Sequence, residues 1–263
     1  MPLVDTHVHA FVDGLPLAPA RRYTPATAAP LDRLLAVLDA AGAERALLVQ
    51  PSFLADDHAY LLRCLARQPD RLRGVASLLD PDAALAHHDA WHAAGIRGVR
   101  LNLPGLPSPD LTGLRWRHLA RVMVEHGWHL EVHATGEQWA GLRRPLAGWP
   151  GPVVLDHLGR AEDPVAQAHV VDLARLGHVW VKASAPYRTP DGWAAATAAR
   201  ILDATQGERL LWGSDWPFTQ HEHATTYAEL VAWAGDVLGT AADIVDDNAR
   251  RLLNWDEWLV TQL

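Results

Sequence analysis

Residues 4–9 read Val-Asp-Thr-His-Val-His, and this short apolar run closing on a His-x-His pair decides between the folds open to the rest of the chain. Residues two apart in a strand point to the same face, so a strand here would present His7 and His9 together. No glycine-rich phosphate loop follows it, as an open dinucleotide-binding sheet would require. From the pair alone, two readings stand side by side: neutral imidazoles binding a metal, or two buried, hydrogen-bonded histidines.

Working outward from this strand, taken as 3–9, seven more β-rich runs follow at 45–50, 72–78, 96–103, 128–133, 152–157, 178–184 and 209–215. Helical patterns separate them. Leu31, Leu34, Leu35 and Leu38 repeat at i, i+3, i+4 and i+7, with Gly42 where a C-cap belongs. Asp163-Pro164 reads as an N-cap followed by proline at the first helical position. Further helices are expected near 56–68, 81–94, 112–126, 136–148, 190–206, 222–238 and 240–254. Strict alternation means parallel strands joined by crossover helices. With His-Val-His in place of a phosphate loop, the closed solution is preferred: an α/β fold, a parallel eight-stranded (β/α)8 TIM barrel, one domain over 1–263. The length of 263 residues suits it, since such barrels need about 250.

Composition narrows the function classes. A net charge of −8 argues against nucleic-acid binding, which needs a basic footprint, and gives no support for an anionic membrane surface. The N-terminus lacks the basic start and long apolar run of a signal peptide, and no apolar stretch approaches the roughly 18 residues of a membrane span. A cytoplasmic protein is expected, and the oligomeric state is not readable. Cys64 is the sole cysteine, which excludes an intrachain disulfide and a cysteine-based zinc site. Of the fifteen histidines, His87, His88, His92 and His118 fall on expected helices and read as surface residues. Among the tryptophans, Trp139, Trp149, Trp193, Trp233, Trp255 and Trp258 read as helix packing, while Trp212 and Trp216 flank Asp215 as candidate pocket walls.

His133 ends the fifth expected strand, His157 the sixth and Asp215 the eighth. Polar residues at the C-terminal ends of barrel strands read as catalytic. Burying four histidines and an aspartate there without partners would be expensive, so the bland alternative is a hydrogen-bonded polar plug.

The segments VDTHVH at 4–9, LEVHAT at 130–135, VVLDHLGR at 153–160 and LLWGSDWP at 210–217 resemble, in order and strand position, the amidohydrolase superfamily. The resemblance implies a mononuclear site for one divalent metal, zinc or else manganese, held by His7, His9, His133 and Asp215, with His157 as a catalytic neighbour. No lysine ends the fourth strand and Lys182 lies on the seventh, so a carbamate-bridged pair of metals is not expected. Tyr23-Thr24-Pro25, VQPS at 49–52, GVRLN at 98–102, DHLGR at 156–160 and KASAPYR at 182–188 are similar to the lactonase branch, which includes pyrone-dicarboxylate, sulfomuconolactone and sugar lactonases. His133, absent from the pyrone-dicarboxylate lactonases, and Phe218, where a polar residue is common, both favour a metal-dependent relative.

Arg100, Arg160 and Arg188 each fall at or just past a different strand end. Planar guanidiniums bind carboxylates bidentately, so the trio suits an acidic substrate; ordinary salt bridges, with Asp156 or Glu131 for example, are the alternative. Tyr23 and Ser52 are added as neutral substrate-binding groups, with packing under the proline-rich loop and capping of the next helix as their alternatives. The expected activity is metal-dependent hydrolysis of a small carboxylated or sulfonated lactone, with Asp215 moving the proton and His157 assisting. Hydrolysis of a neutral sugar lactone, decarboxylation by the same superfamily and a non-catalytic binding barrel are the rivals.

Overall fold

The computed structural model describes residues 4–78 and 80–255; Leu3 of the first expected strand and Trp258 lie outside them. Eight strands alternate with helices. They are β1 (Val4–Val8), β2 (Arg45–Val49), β3 (Leu72–Leu78), β4 (Ile96–Asn102), β5 (His129–His133), β6 (Val153–Leu155), β7 (Val179–Ser184) and β8 (Leu210–Gly213). The helices are α1 (Leu31–Ala41), α2 (Ala59–Arg67), α3 (Asp82–Ala93), α4 (Leu114–Glu125), α5 (Gln138–Ala147), α6 (Pro164–Ala174), α7 (Trp193–Thr205), α8 (Tyr227–Leu238) and α9 (Ala242–Leu252).

The strands pair in chain order, all parallel. The ring returns to its start through the Val8–Trp216 bridge, with His9 N–H donating to Trp216 O at 2.8 Å and Asp215 N–H to His7 O at 2.8 Å. This is the (β/α)8 barrel that the sequence predicts. The local signals hold as well. Leu31, Leu34 and Leu38 are the buried stripe of α1, and Gly42 caps it with a φ of 70°. The Asp163 carboxylate accepts from the backbone N–H groups of Val165 and Ala166 ahead of Pro164.

Two apolar clusters divide the strand residues. Leu48, Leu130, Val132, Val153, Leu155, Val181, Leu210 and Trp212 pack outward with helix residues. Val4, Leu47, Val75, Val154 and Leu211 converge inside the barrel, where Ala249, Leu252, Leu253 and Trp255 cover them from below. The Trp255 ring lies 5.6 Å from the Arg45 guanidinium and 5.5 Å from that of Arg73.

Val4 and Val8 are an even number of residues apart yet belong to opposite clusters. The β1–β2 register shifts between Asp5 and Val8, and that irregularity exchanges the two faces of the strand. Asp5 faces outward and accepts from the Tyr227 hydroxyl at 3.0 Å, while His7 and His9 turn into the barrel. The other Asp5 oxygen accepts from His7 N–H and Ser214 N–H, each at 3.0 Å, tying the bend in β1 to the end of β8. Gly213 makes the approach possible, because a Cβ there would stand 2.6 Å from His7 Cβ.

Candidate active site

β6 and β8 are shorter than their apolar runs suggest, and the reason lies in the site. His157 and Asp215 sit past the strand ends with left-handed φ values of 52° and 62°, as does Arg160 at 43°. Left-handed backbone is unfavourable for such residues and concentrates where a functional geometry is over-determined. Here it turns three candidate side chains into the mouth formed by the C-terminal ends of the strands.

Asp215 Oδ1 is the meeting point. It lies 3.4 Å from His9 Nε2, 3.6 Å from His7 Nε2 and 3.9 Å from His157 Nε2. Its other oxygen accepts from Arg188 Nε at 2.7 Å and from the Tyr187 hydroxyl at 2.7 Å. His133 stands one ring further out, 5.0 Å from the His157 ring, with its Nδ1 3.4 Å from Arg100 Nη2. The structure thus brings His7, His9 and Asp215 together, adds His157 with its ring 4.7 Å from that of His7, and sets His133 on the Arg100 side.

Beneath this centre lies a sealed ionic layer. Lys182 Nζ donates to Glu131 Oε2 and lies 3.3 Å from Asp156 Oδ1 and 3.0 Å from His7 Nδ1. Arg100 Nε donates to Asp156 Oδ2 at 2.8 Å and lies 3.2 Å from Glu131 Oε1. Two cations and two carboxylates balance in a region closed to water. Burial opposes ionisation of Asp156, but the neighbouring Arg100 and Lys182 charges hold its carboxyl well below the usual range. Burial likewise opposes ionisation of Asp215, and Arg188 and the imidazoles outweigh it. Burial lowers His7 to about 4, with Lys182 acting in the same direction, and holds His133 and His157 well below the ordinary imidazole range. At neutral pH the imidazoles of His7, His133 and His157 are therefore neutral beside an ionised carboxylate.

His9 Nδ1 donates to Val49 O at 2.8 Å, which fixes its tautomer and leaves the Nε2 lone pair facing Asp215. His7 Nε2 and His133 Nε2 are buried without a hydrogen-bond partner among the described residues. Lone pairs gathered around a carboxylate oxygen suit a cation, and the residues fit a divalent metal.

A cleft opens above the centre, lined among others by His9, His133, His157 and Asp215 and by four arginines: Arg22, Arg100, Arg160 and Arg188. Tyr23 and Ser52 line it too, and the Tyr23 hydroxyl donates to Glu222. Ser52 opens the short helical turn Ser52–Leu54, whose N-cap position is taken by Pro51. Arg160 is half-buried and lies 3.2 Å from Glu162. Trp212 and Trp216 do not line the cleft; both are buried in the outer core, and the Trp212 ring packs edge-on against Tyr227. Arg22 and Asn102 are additions that the sequence reading passed over. Arg22 Nη2 donates to Asn102 Oδ1 at 2.6 Å and Nη1 to Pro104 O at 2.7 Å. Asn102 shares the period-two face of Arg100 and was findable on that ground; Arg22 sits on a loop, where no periodicity points to it.

The Amidohydrolase family profile matches residues 4–255. The chain belongs to the amidohydrolase family. Among relatives of this amidohydrolase, a 4-sulfomuconolactone hydrolase from Rhizobium radiobacter is 28% identical, over 94% of this chain and 85% of its own length. Two solved structures assigned as 2-pyrone-4,6-dicarboxylic acid hydrolases are also similar. That from Acinetobacter baumannii, with citric acid bound, is 30% identical with a TM-score of 0.87, covering 97% of this chain and 100% of its own. That from Pseudomonas putida is 37% identical with a TM-score of 0.84, covering 96% and 97%.

Proposed function

We propose that this amidohydrolase hydrolyses a small lactone bearing carboxylate or sulfonate groups. The observation that carries the reading is the convergence of Arg22, Arg100, Arg160 and Arg188 on one cleft above an imidazole–carboxylate centre, in a chain whose net charge is −8. A local positive field against that balance collects anionic substrates. Similarity to relatives named for a sulfonated lactone and for a pyrone dicarboxylate supports the same substrate class.

Asp215 is ionised and serves as the base, taking a proton from the attacking water and returning it to the leaving ring oxygen. Arg188 and Tyr187 hold the oxygen that is turned away from the imidazoles, so the carboxylate keeps one oxygen aimed into the centre. His157, fixed by a 2.9 Å contact between its Nδ1 and the Ser184 hydroxyl, directs Nε2 toward the reacting atoms and orients the water or receives the developing oxyanion. His7, His9, His133 and Asp215 would hold the metal, zinc or else manganese. When bound, such an ion polarises the ring carbonyl and lowers the pKa of water. Arg22 and Arg160, the two guanidiniums not held by a buried carboxylate, keep the acidic substituents in register.

Elemental analysis of the purified protein, joined to a panel of acidic and neutral lactones, tests the reading. About one divalent transition metal per chain at the catalytic centre and turnover of acidic lactones are expected, and no turnover of any lactone sinks it. Asp215→Asn keeps the shape and removes the base; kcat should fall by roughly 10²-fold or more, the low end for general acid–base catalysis. An Asn variant with near-normal kcat removes Asp215 from proton transfer.

A further inference from the structure

The helical layer carries a second cluster of metal-ligating side chains that the catalytic centre does not use. His88 and Asp89 lie on α3, and His126 is the residue that caps the end of α4, just before β5. Barrel helices run against the strands, so the end of α4 belongs to the face opposite the cleft.

Three atoms of this cluster form a nearly equilateral triangle. His88 Nδ1 lies 3.2 Å from His126 Nε2 and 3.2 Å from Asp89 Oδ1, and His126 Nε2 lies 3.1 Å from the same carboxylate oxygen. A tetrahedral zinc with bonds of about 2.0–2.1 Å separates neighbouring ligand atoms by about 3.3 Å. The triangle is therefore one face of such a tetrahedron, already assembled. The His126 ring is held in place from two sides: His92 lies against it at 4.9 Å between ring centroids, and Trp128 meets it edge-on at 5.6 Å. Trp128 Nε1 donates to His92 Nδ1 at 3.1 Å, which occupies that nitrogen and fixes the supporting ring. Asp89 is largely exposed, so the fourth vertex faces solvent.

We propose that His88, Asp89 and His126 form a peripheral site for a divalent transition metal of the zinc or nickel type, with solvent as fourth ligand. The ion would pin α3 to the α4–β5 turn. Two imidazoles and one carboxylate suit borderline ions over magnesium or calcium, which prefer all-oxygen shells.

Chelator-stripped protein dialysed against Zn²⁺ alone provides the test, with wild type, His126→Gln and Asp89→Asn compared for stoichiometry and affinity. Wild type should take up one equivalent more than His126→Gln. Affinity for that equivalent should fall about 100-fold in His126→Gln, the upper end of what even an outer partner contributes. Asp89→Asn, an exposed change that leaves the packing alone, should weaken it by about 10-fold. Zn²⁺ should raise the Tm of wild type more than that of either variant, and turnover should be unchanged because none of the three residues touches the cleft. Equal stoichiometry and affinity in all three proteins would overturn the proposal. So would an extra equivalent that binds wild type only at millimolar Zn²⁺. Loss of metal from the catalytic centre would appear in all three proteins alike and is thereby distinguishable.

Discussion

Inside the lower half of the barrel, Val4, Leu47, Val75, Val154 and Leu211 meet Leu253 and Trp255. In the upper half, Lys182, Glu131, Asp156, Arg100 and His7 meet one another, equally sealed from water. β1 and the β6 segment contribute to both layers, and Val154 and Asp156 stand only two residues apart. The lower layer gains free energy simply by leaving water, about 25 cal/mol per Å² of apolar surface. The upper layer must first strip hydration from four charges and recovers that loss only through mutual pairing. Apolar side chains would fill the same space without the penalty, so stability alone does not account for the ionic layer. Its position beneath His7 and His133 does: it presents oriented carboxylates and cations to the imidazoles proposed to hold the metal, as outer partners do in metal sites.

The largest effects should come from unbalancing that layer. Lys182→Met leaves Glu131 and Asp156 with one cation between them, and stability should drop by about 3–5 kcal/mol, as when one partner of a buried pair is lost. Leu211→Ala, in the lower layer, should lose about 2–5 kcal/mol by opening a cavity. The two losses differ in how they can be repaired. The double variant Lys182→Met/Glu131→Leu removes one charge of each sign and leaves Arg100 with Asp156. It should regain most of the stability while turnover stays low. Urea unfolding and a lactone assay on the same preparations decide the matter. A double variant as unstable as Lys182→Met, or as active as wild type, breaks the distinction between the layers.

Acid should also strike the upper layer first. Unfolded His7 takes up a proton near pH 6.5, whereas burial keeps it neutral in the fold until about pH 4. Its contribution is therefore complete above pH 6.5 and is lost as pH falls toward 4, about 3 kcal/mol in all for a group this deeply buried. Asp5 has the opposite sign. Burial raises its carboxyl to about 6, so its contribution is present below pH 3.8 and lost as pH rises through 6. These two nearly offset each other, and the depressed values of His133 and His157 tip the balance toward acid lability. In chelator, the urea midpoint should fall between pH 7 and pH 5, and more steeply in Asp5→Asn. A midpoint that holds or rises over that interval would show that these imidazoles do not carry the buried neutral state assigned to them.

How much of each layer could be read beforehand follows from the kind of signal it leaves. The lower layer and the helices announce themselves by period, and every expected strand and helix within the described residues is present, with ends displaced by a few residues. That His7, His9, His133, His157 and Asp215 gather at one mouth was legible from their places at the strand ends. Lys182 was legible as a position but not as a counter-ion, since nothing in one strand reveals what the strands across the barrel contribute. Arg100 was legible further: the sequence offers Asp156 and Glu131 as its partners in place of substrate, and the structure pairs it with both. The change of face in β1 was hidden entirely, because Val-Asp-Thr-His-Val-His alternates well enough to pass for a regular strand.

The smallest predicted effect concerns the arginines, and it separates charges that hold the site from a charge kept for the substrate. Arg100 is committed to Asp156 and Glu131, and Arg188 to Asp215. Arg22 reaches only an amide and a backbone carbonyl, with no carboxylate partner among the described residues. Partial burial, joined by repulsion from Arg100, Arg160 and Arg188, lowers its pKa, so an anion in the cleft would relieve a standing electrostatic strain. Arg22→Met should therefore lower kcat/KM for an acidic lactone by about 1.5–3 kcal/mol, the value of one charge-assisted contact, and leave a neutral lactone of similar size almost untouched. Arg22→Lys should recover part of the loss, because it restores the charge without the planar fork. Arg188→Met should instead slow both substrates, since it frees the oxygen of Asp215 that the guanidinium now holds. If Arg22→Met slows acidic and neutral lactones equally, Arg22 is a strut between the loop after β1 and Asn102, and recognition of the acidic groups falls to Arg160.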